Sequence, residues 1–334
     1  MITFDASRGS GGGFALRSAL VLSLLSGRPM RLTRIRARRI SPGLKLQHLR
    51  TIELLARACD AHVEGAVPGS QSLFFEPRRE AHWEPAIDID TPGSLTLLLE
   101  TLLVPLSFSG QVCHPRLAGI THAARSPAFE NLAWHWLPLL GRAGYRADAT
   151  LHSAGFAPKG GGIVHATIQP AAGIVPLQLT RRGALLRVSG HSVLAGLSPS
   201  VSERHIRQLE RRLGILDAPL CLAPAVVRAT VPGTYIVLQA EFEHSQQCLF
   251  ALGELGKPPE AVANEAADAL FAALASSGAL DAHSASQLLL PLSVAAGDSH
   301  LSSSRISEQM LLAAELTELF LGTTIDIDGR PGEP

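Results

Sequence analysis

The stretch RGSGGGFALRSAL (residues 8–20) puts an arginine and four glycines directly ahead of an apolar, helix-like run. Glycines before a helix let backbone N–H groups approach an anion, and the helix N-terminus adds positive partial charge. The spacing is neither GxxxxGK[ST] nor GxGxxG, so both nucleotide fingerprints are absent and a tight turn explains the glycines equally well. A second stretch, RLTRIRARRISPGLKLQHLR (31–50), carries Arg31, Arg34, Arg36, Arg38, Arg39, Lys45 and Arg50 with no acidic residue among them. Arginine's planar fork matches phosphate oxygens, which makes RNA or nucleotide binding the functional reading and a solvated strand edge the plain one. A third, GFAPKGGG (155–162), is a hairpin or strand-entry turn by itself. His114, His122, His135 and His152 form no HxxxH or HExxH pair, and no GxSxG elbow occurs. Cys59, Cys113, Cys221 and Cys248 form no CxxC pair, so neither a zinc site nor a disulfide framework is indicated.

These motifs need a scaffold. The 334 residues are 46% hydrophobic and 17% charged with zero formal net charge, a globular composition in which any polyanion site must be a local patch. No signal-like or membrane-spanning segment is expected, which gives a soluble, cytoplasmic protein. The apolar spacing predicts a strand at Ile2–Asp5, a helix at Phe14–Leu25, a strand near Met30–Ile35 and a helix at Leu44–Cys59. The rhythm recurs: a strand at 86–90 with a helix at Leu95–Leu106, then a strand at 111–120 with a helix at Ala128–Ala143. From about Leu177 the texture changes to a small unit with a helix near Ser200–Leu213 and strands in PAVVRATV and TYIVLQAEF. A long Ala-rich helix (Val262–Ala275), the run SASQLLLPLSVAAG, a helix near Ser307–Leu321 and a closing strand TTIDI resume the first style. The expected fold class is α/β (α+β), a duplicated large domain with a small inserted one.

Eight stretches in order, from RGSGGGFALRSAL and IRARRISPGLKLQHL through GSQSLFFEP, TPGSLTLLLETLLVPL, GFAPKGGGIV and VLAGLSPSVSERHI to LGELGKPPEAVA and SQLLLPLSVAAG, resemble the RNA 3′-terminal phosphate cyclase family. The resemblance implies a large domain of repeated βα units, like the C-terminal domain of translation initiation factor 3, interrupted by a small α/β domain. It divides the chain at 1–177, 178–256 and 257–334. It also implies ATP and Mg²⁺ or Mn²⁺ as cofactors and a reaction in which a histidine takes AMP from ATP. The AMP then passes to an RNA 3′-phosphate, and the 2′-OH closes a 2′,3′-cyclic phosphate.

Carried onto this sequence, the family's RNA- and phosphate-binding set is Arg17, Arg38, Arg39, Gln47, His48 and Arg50. Its nucleotide-binding set is Gly11, Gly12, Gly13, Glu100, His283, Ser286 and Gln287, with no metal ligand assigned. The histidine position falls on Ile306, Ser307 or Gln309, and no histidine follows His300, the one residue near enough in sequence to stand in. Ser10 stands where the family has glutamate, Ser286 and His122 where it has acids, and Glu100 where it has glutamine. The expectation is a protein that binds RNA 3′ ends with adenylyl transfer lost or impaired, as in the family's nucleolar branch; the alternative is an active cyclase with a replacement nucleophile. Expected partners are RNA 3′ ends and a protein partner or second copy, with no membrane and no DNA.

Overall fold

A computed structural model of the 334 residues describes all but Ser10, Gly11, Arg125, Glu333 and Pro334. The first unit runs β1 (Ile2–Asp5), α1 (Phe14–Ser26), β2 (Met30–Thr33), α2 (Leu46–Cys59), β3 (His62–Glu64) and β4 (Leu73–Glu76). Its sheet has the order β1-β2-β4-β3, with β1 and β2 parallel and β4 antiparallel to both its neighbours. The second unit repeats the plan with β5 (Ala86–Ser94), α3 (Leu95–Ser107), β6 (His114–Ile120), α4 (Leu137–Arg142), β7 (Arg146–Ser153) and β8 (Gly162–Gln169). Its order is β5-β6-β8-β7, with the same pattern of directions. Two sheets of identical order built from successive chain segments bear out the α+β reading and its duplication.

Each element forms for a local reason. In β4, Leu73 and Phe75 turn inward and are fully buried while Phe74 and Glu76 face outward, the period of two a half-buried strand requires. Helix α1 ends at Gly27, whose φ of 66° closes the last turn. Helix α3 begins where Ser94 Oγ accepts the Leu97 N–H at 3.3 Å. It is apolar nearly all round, as a helix buried between layers must be, and Glu100 is its one charged residue.

The third unit opens with β9 (Gln178–Leu179) and is then interrupted. The insert holds β10 (Leu185–Ala195), α5 (Pro199–Leu213), β11 (Leu220–Val226), β12 (Gly233–Phe242) and β13 (Gln246–Leu252) in the sheet order β11-β10-β12-β13. Helix α6 (Pro259–Ala275) puts Val262, Ala266 and Leu270 into one core with Ile236, Leu238 and Leu209, so a division at residue 256 separates it from the sheet it covers. The third unit then resumes with α7 (Ala282–Leu292), β14 (His300–Leu301) and α8 (Glu308–Leu321), β14 lying parallel to β9.

Two expectations need correction. TTIDI is not a strand: residues 323–328 follow α8 without ladder partners among the described residues. The Ala128–Ala143 helix is a π-helical stretch, Asn131–Trp136, running into α4. Short β3 and β4, and β7, β8 and β13, went unread because they lie between stronger helical signals. The GFAPKGGG stretch is the strand-entry turn between β7 and β8; a Cβ on Gly155 would lie 2.3 Å from the Gly119 carbonyl oxygen, so only glycine admits that approach. Among the described residues no helix is long and apolar enough to cross a membrane.

Candidate functional site: a cationic cleft between repeated units

Helices α1, α2, α3 and α7 meet around Arg17. The Gly12–Gly13 turn leads into α1, and a Cβ on Gly13 would lie 2.8 Å from His48 Nε2 and 3.0 Å from Arg17 Nη1. The glycine loop therefore exists to let these two side chains close over the helix N-terminus. His48 is 4% exposed, and its Nδ1 accepts the Lys45 backbone N–H at 3.0 Å. Burial, then the charges of Arg17, Arg36 and Lys45, depress its pKa to about 3, so the ring is neutral. With Nδ1 accepting, the ring proton sits on Nε2, on the Gly13 side of the ring where Arg17 also lies. Gln47 packs beside it, its Cβ 2.8 Å from where a Gly93 Cβ would be.

The Arg17 guanidinium makes no hydrogen bond among the described residues; the backbone N–H donates to the Gly13 carbonyl at 3.1 Å. Burial lowers its pKa, and Glu100 across the cleft opposes that shift. Its guanidinium offers five donors, on a residue that is half-buried. Together, the Arg17 fork and the His48 Nε2–H form a donor set for an anion.

On the far side of Arg17, Glu100 Oε1 lies 3.1 Å from His283 Nε2. Burial works against a charged His283, but Glu100, through its charge and hydrogen bond, and Asp281 outweigh burial, and its pKa is raised above 6.5. The ion pair is therefore complete below the unfolded value and is lost as the pH rises through the higher folded one. Glu100→Gln is expected to lower the His283 pKa, read from its imidazole resonances across pH; an unmoved titration would show that the pair is not coupled.

Asp281 caps α7, accepting the His283 and Ser284 backbone N–H groups at 2.9 and 3.0 Å, and it faces His135 Nε2 at 3.2 Å. Burial opposes its charge, yet these partners hold its pKa well below the usual carboxylate range. Beside this pair opens a cavity of about 320 Å³ walled by Phe250, Trp136, Pro127, Asn131 and His283. Of these lining residues, sequence reasoning found only His283; the others are brought in from β13 and from the segment before α4, with no local motif to announce them.

The expected residues divide. Gly13, Arg17, Gln47, His48, Glu100, His283, Ser286 and Gln287 border this connected region; Gly12 precedes Gly13 in the turn, and Gly11, like Ser10, lies outside the described residues. Arg50 is held by Glu53 at 3.1 Å on the outer flank of α2, and Arg38 and Arg39 are exposed on the loop ahead of α2. The basic run is less naked than its sequence suggests: Arg34 pairs with Asp5 at 3.0 Å and Arg31 with Glu64 at 3.4 Å. Arg36 is buried and donates to the Ser41 and Gly43 carbonyls at 2.8 and 2.9 Å, shaping the loop.

At the expected nucleophile position, Ile306 is 4% exposed and part of the core. Ser307 Oγ caps α8, accepting the Met310 N–H at 3.1 Å, and lies 3.1 Å from Ser286 Oγ. Ser286 Oγ donates to the Ala282 carbonyl at 2.6 Å. Among the described residues neither hydroxyl is bonded to an imidazole or carboxylate that could take its proton, and Gln309 offers only an amide. His300 lines a different cavity with Ala285, Leu289 and Leu292, on the opposite face of α7 from Ser286, Gln287 and Leu290. His122 is fully buried away from the cleft, its Nε2 3.0 Å from Glu130 Oε2.

Fold and cleft define an α+β protein of repeated four-stranded units that presents a cationic pocket at a glycine-led helix. The sequence matches the RNA 3′-terminal phosphate cyclase family over residues 8–327. It is 40% identical over 296 residues to the RNA 3′-terminal phosphate cyclase of Ralstonia nicotianae, covering 88% of this chain and 84% of that one. The cyclase of Methanopyrus kandleri is 36% identical, with 100% of this chain and 97% of that one covered. That of Pyrococcus abyssi is 34% identical, with the same two shares. This chain belongs to the RNA 3′-terminal phosphate cyclase family. The crystal structure of the enolpyruvyl transferase NikO from Streptomyces tendae aligns with 50% of this chain and 33% of that one at a TM-score of 0.27 and 14% identity, a likeness too slight to argue from.

Proposed function

We propose that this protein binds RNA ends carrying a 3′-phosphate and does not perform the family's adenylyl transfer. The observation that carries the reading is Arg17, partly buried and with a guanidinium that has no hydrogen bond among the described residues, beside the Nε2–H of neutral His48. A terminal phosphate satisfies both donors with charge-assisted bonds. Arg38 and Arg39, exposed on the neighbouring loop, steer the preceding backbone phosphates.

The chemistry that would follow binding lacks its parts. The last histidine, His300, lies on the opposite face of α7 from Ser286 and Gln287, and the Ser286–Ser307 pair has no general base among the described residues. The cavity walled by Phe250, Trp136 and His283 can take a flat base. The triphosphate, however, would meet the Glu100 carboxylate. A divalent ion does not fit at Glu100 either, because that carboxylate already faces two basic side chains, Arg17 and His283.

The test compares one oligoribonucleotide with a 3′-phosphate and with a 3′-hydroxyl in direct binding. The 3′-phosphate form is expected to bind about tenfold or more tightly. Equal affinities would mean that the cleft does not read the terminal phosphate.

A further inference from the structure

A second groove opens where the inserted sheet parts from the second unit. Helices α5 and α6 cover one face of that sheet. On the other face Val193, Tyr235, Val237 and Cys248 pack against Ala154 and Phe156 of the second unit. Further along the same strands the two surfaces separate, leaving a cavity of about 410 Å³ lined by Trp134, Pro138, Ser189, His191, Gln239 and Gln246. No Asp, Glu, Lys or Arg stands among these lining residues. The groove therefore suits a neutral, flat ligand with hydrogen-bonding edges rather than a phosphate.

The local chemistry begins with one proline. Pro138 has no N–H to give to the Trp134 carbonyl four residues back. The Gln239 and Gln246 side-chain amides donate to that carbonyl instead, at 3.4 and 2.5 Å, and Gln239 Nε2 also donates to Gln246 Oε1 at 3.0 Å. A carbonyl accepts only from the NH₂ end of an amide, so both orientations are fixed. Gln239 Oε1 is left without a donor among the described residues. His191 stands edge-on to the Trp134 ring, with centroids 5.7 Å apart and planes at 63°, and its Nδ1 is buried without a partner among the described residues. Trp134 is half-buried whereas Trp83 and Trp136 are buried, so of the three tryptophans it is the one whose ring a ligand can reach.

We propose that this groove takes one unstacked base of the bound RNA, stacked on Trp134, with a ring or exocyclic N–H donating to Gln239 Oε1. The inference rests on the RNA reading above and extends it inward from the 3′ end. Two observations join the groove to the cleft. Gln246, Cys248 and Phe250 share one face of β13; Gln246 lines this groove and Phe250 the cavity beside His283, about 13 Å away at the rise of a strand. Arg142 lies one turn beyond Pro138 on α4 and donates to the His244 carbonyl at 3.0 Å, two residues from Gln246, with no carboxylate partner among the described residues. That places a cation beside the groove for a backbone phosphate. The neighbouring acids are engaged: Glu241 pairs with Arg187, and Glu243 accepts the Ala184 N–H at 3.0 Å. An aliphatic side chain in the groove would desolvate Ser189 and the two amides without returning a hydrogen bond.

The probe is a 3′-phosphorylated octa-adenylate, with a set of copies that each carry one abasic nucleotide. With the full chain, an abasic nucleotide at one interior position should weaken binding by about tenfold or more. That copy should also fail to quench the Trp134 emission that the intact RNA quenches. Trp134→Ala should remove the penalty at that position. So should Ser189→Phe, which keeps the indole and fills the groove from a half-buried strand position. Neither variant should alter the preference for a 3′-phosphate over a 3′-hydroxyl, which reports on the Arg17 cleft. An even scan with that preference intact overturns this inference and leaves the RNA reading standing; an interior penalty lost in both variants, without the preference, does the reverse. A penalty that survives both variants also overturns the inference, because the base then lies elsewhere. Absence of RNA binding overturns both readings. Quenching of Trp134 by the peptide GGYGG but not by the RNA would give the groove to a protein partner and overturn the inference.

Discussion

Arg17→Ala is expected to lower affinity for a 3′-phosphorylated oligoribonucleotide by about 100-fold, since truncating one partner of a buried charged contact costs about 2–5 kcal/mol. Affinity for the same RNA ending in a 3′-hydroxyl should change by no more than about threefold, because the remaining backbone contacts are sequence- and end-independent. The fold should not suffer: the Arg17 guanidinium makes no hydrogen bond among the described residues and bears a desolvation cost in the free protein, so thermal stability should hold or rise. Arg17→Lys should restore only part of the affinity, as an ammonium keeps the charge but lacks the planar fork. Arg38→Ala, at an exposed position, should weaken both RNAs alike and reduce the salt dependence of binding. An Arg17→Ala protein that still preferred the 3′-phosphate would move the phosphate site elsewhere.

Glu130→Ala should destabilise the protein by about 3–5 kcal/mol, the cost of stranding buried charged partners. Glu130 Oε1 accepts the Tyr235 hydroxyl of β12 at 2.6 Å, while Oε2 lies 3.0 Å from His122 Nε2 at the end of β6. His122 Nδ1 is in turn 2.8 Å from Thr121 Oγ1, which accepts the Gly155 N–H at 2.8 Å. The His122 ring stacks on Tyr235 with centroids 4.0 Å apart. This network ties the second repeated unit to the inserted sheet, in the core where Phe156 and Ala154 meet Val193 and Val237.

Burial pushes the Glu130 pKa up, but the hydrogen bonds and charge of His122, with Tyr235, outweigh it and the net value falls below 4.5. Its contribution is therefore present above the unfolded carboxylate pKa and is lost as the pH falls through the lower folded one. Urea unfolding at pH 7 and at pH 4 checks both statements, and Tyr235→Phe should cost only about 1–2 kcal/mol. A Glu130→Ala protein as stable as the native chain would show that the joint rests on its apolar contacts alone.

The duplication was legible because amphipathic and buried helices repeat at long range in the sequence, and Gly13 with Arg17 announced the cleft through a helix-entry pattern. The capping that gives His48 its tautomer could not be read, since it depends on Lys45 standing at a helix N-cap. The basic run misled in part for a related reason: Asp5, Glu64 and Glu53 reach it from β1, β3 and α2 and pair with Arg34, Arg31 and Arg50. The TTIDI segment has the alternation of a strand, but a strand needs a partner as well as a pattern. Place in the fold decided the reading of His300: it follows Ser286 and Gln287 closely in sequence, yet it stands in β14 and lines the cavity on the other face of α7.

The central claim is a cleft that holds an RNA 3′-phosphate without converting it. A 3′-phosphorylated oligoribonucleotide is incubated with the protein at saturating concentration, ATP and Mg²⁺ or Mn²⁺, then stripped of protein and treated with phosphatase. The account predicts that all of the recovered RNA loses its terminal phosphate, because the end is still an open monoester. A phosphatase-resistant 2′,3′-cyclic end, formed in amounts exceeding one per protein molecule, would contradict it and show that another group has taken the place of the missing histidine.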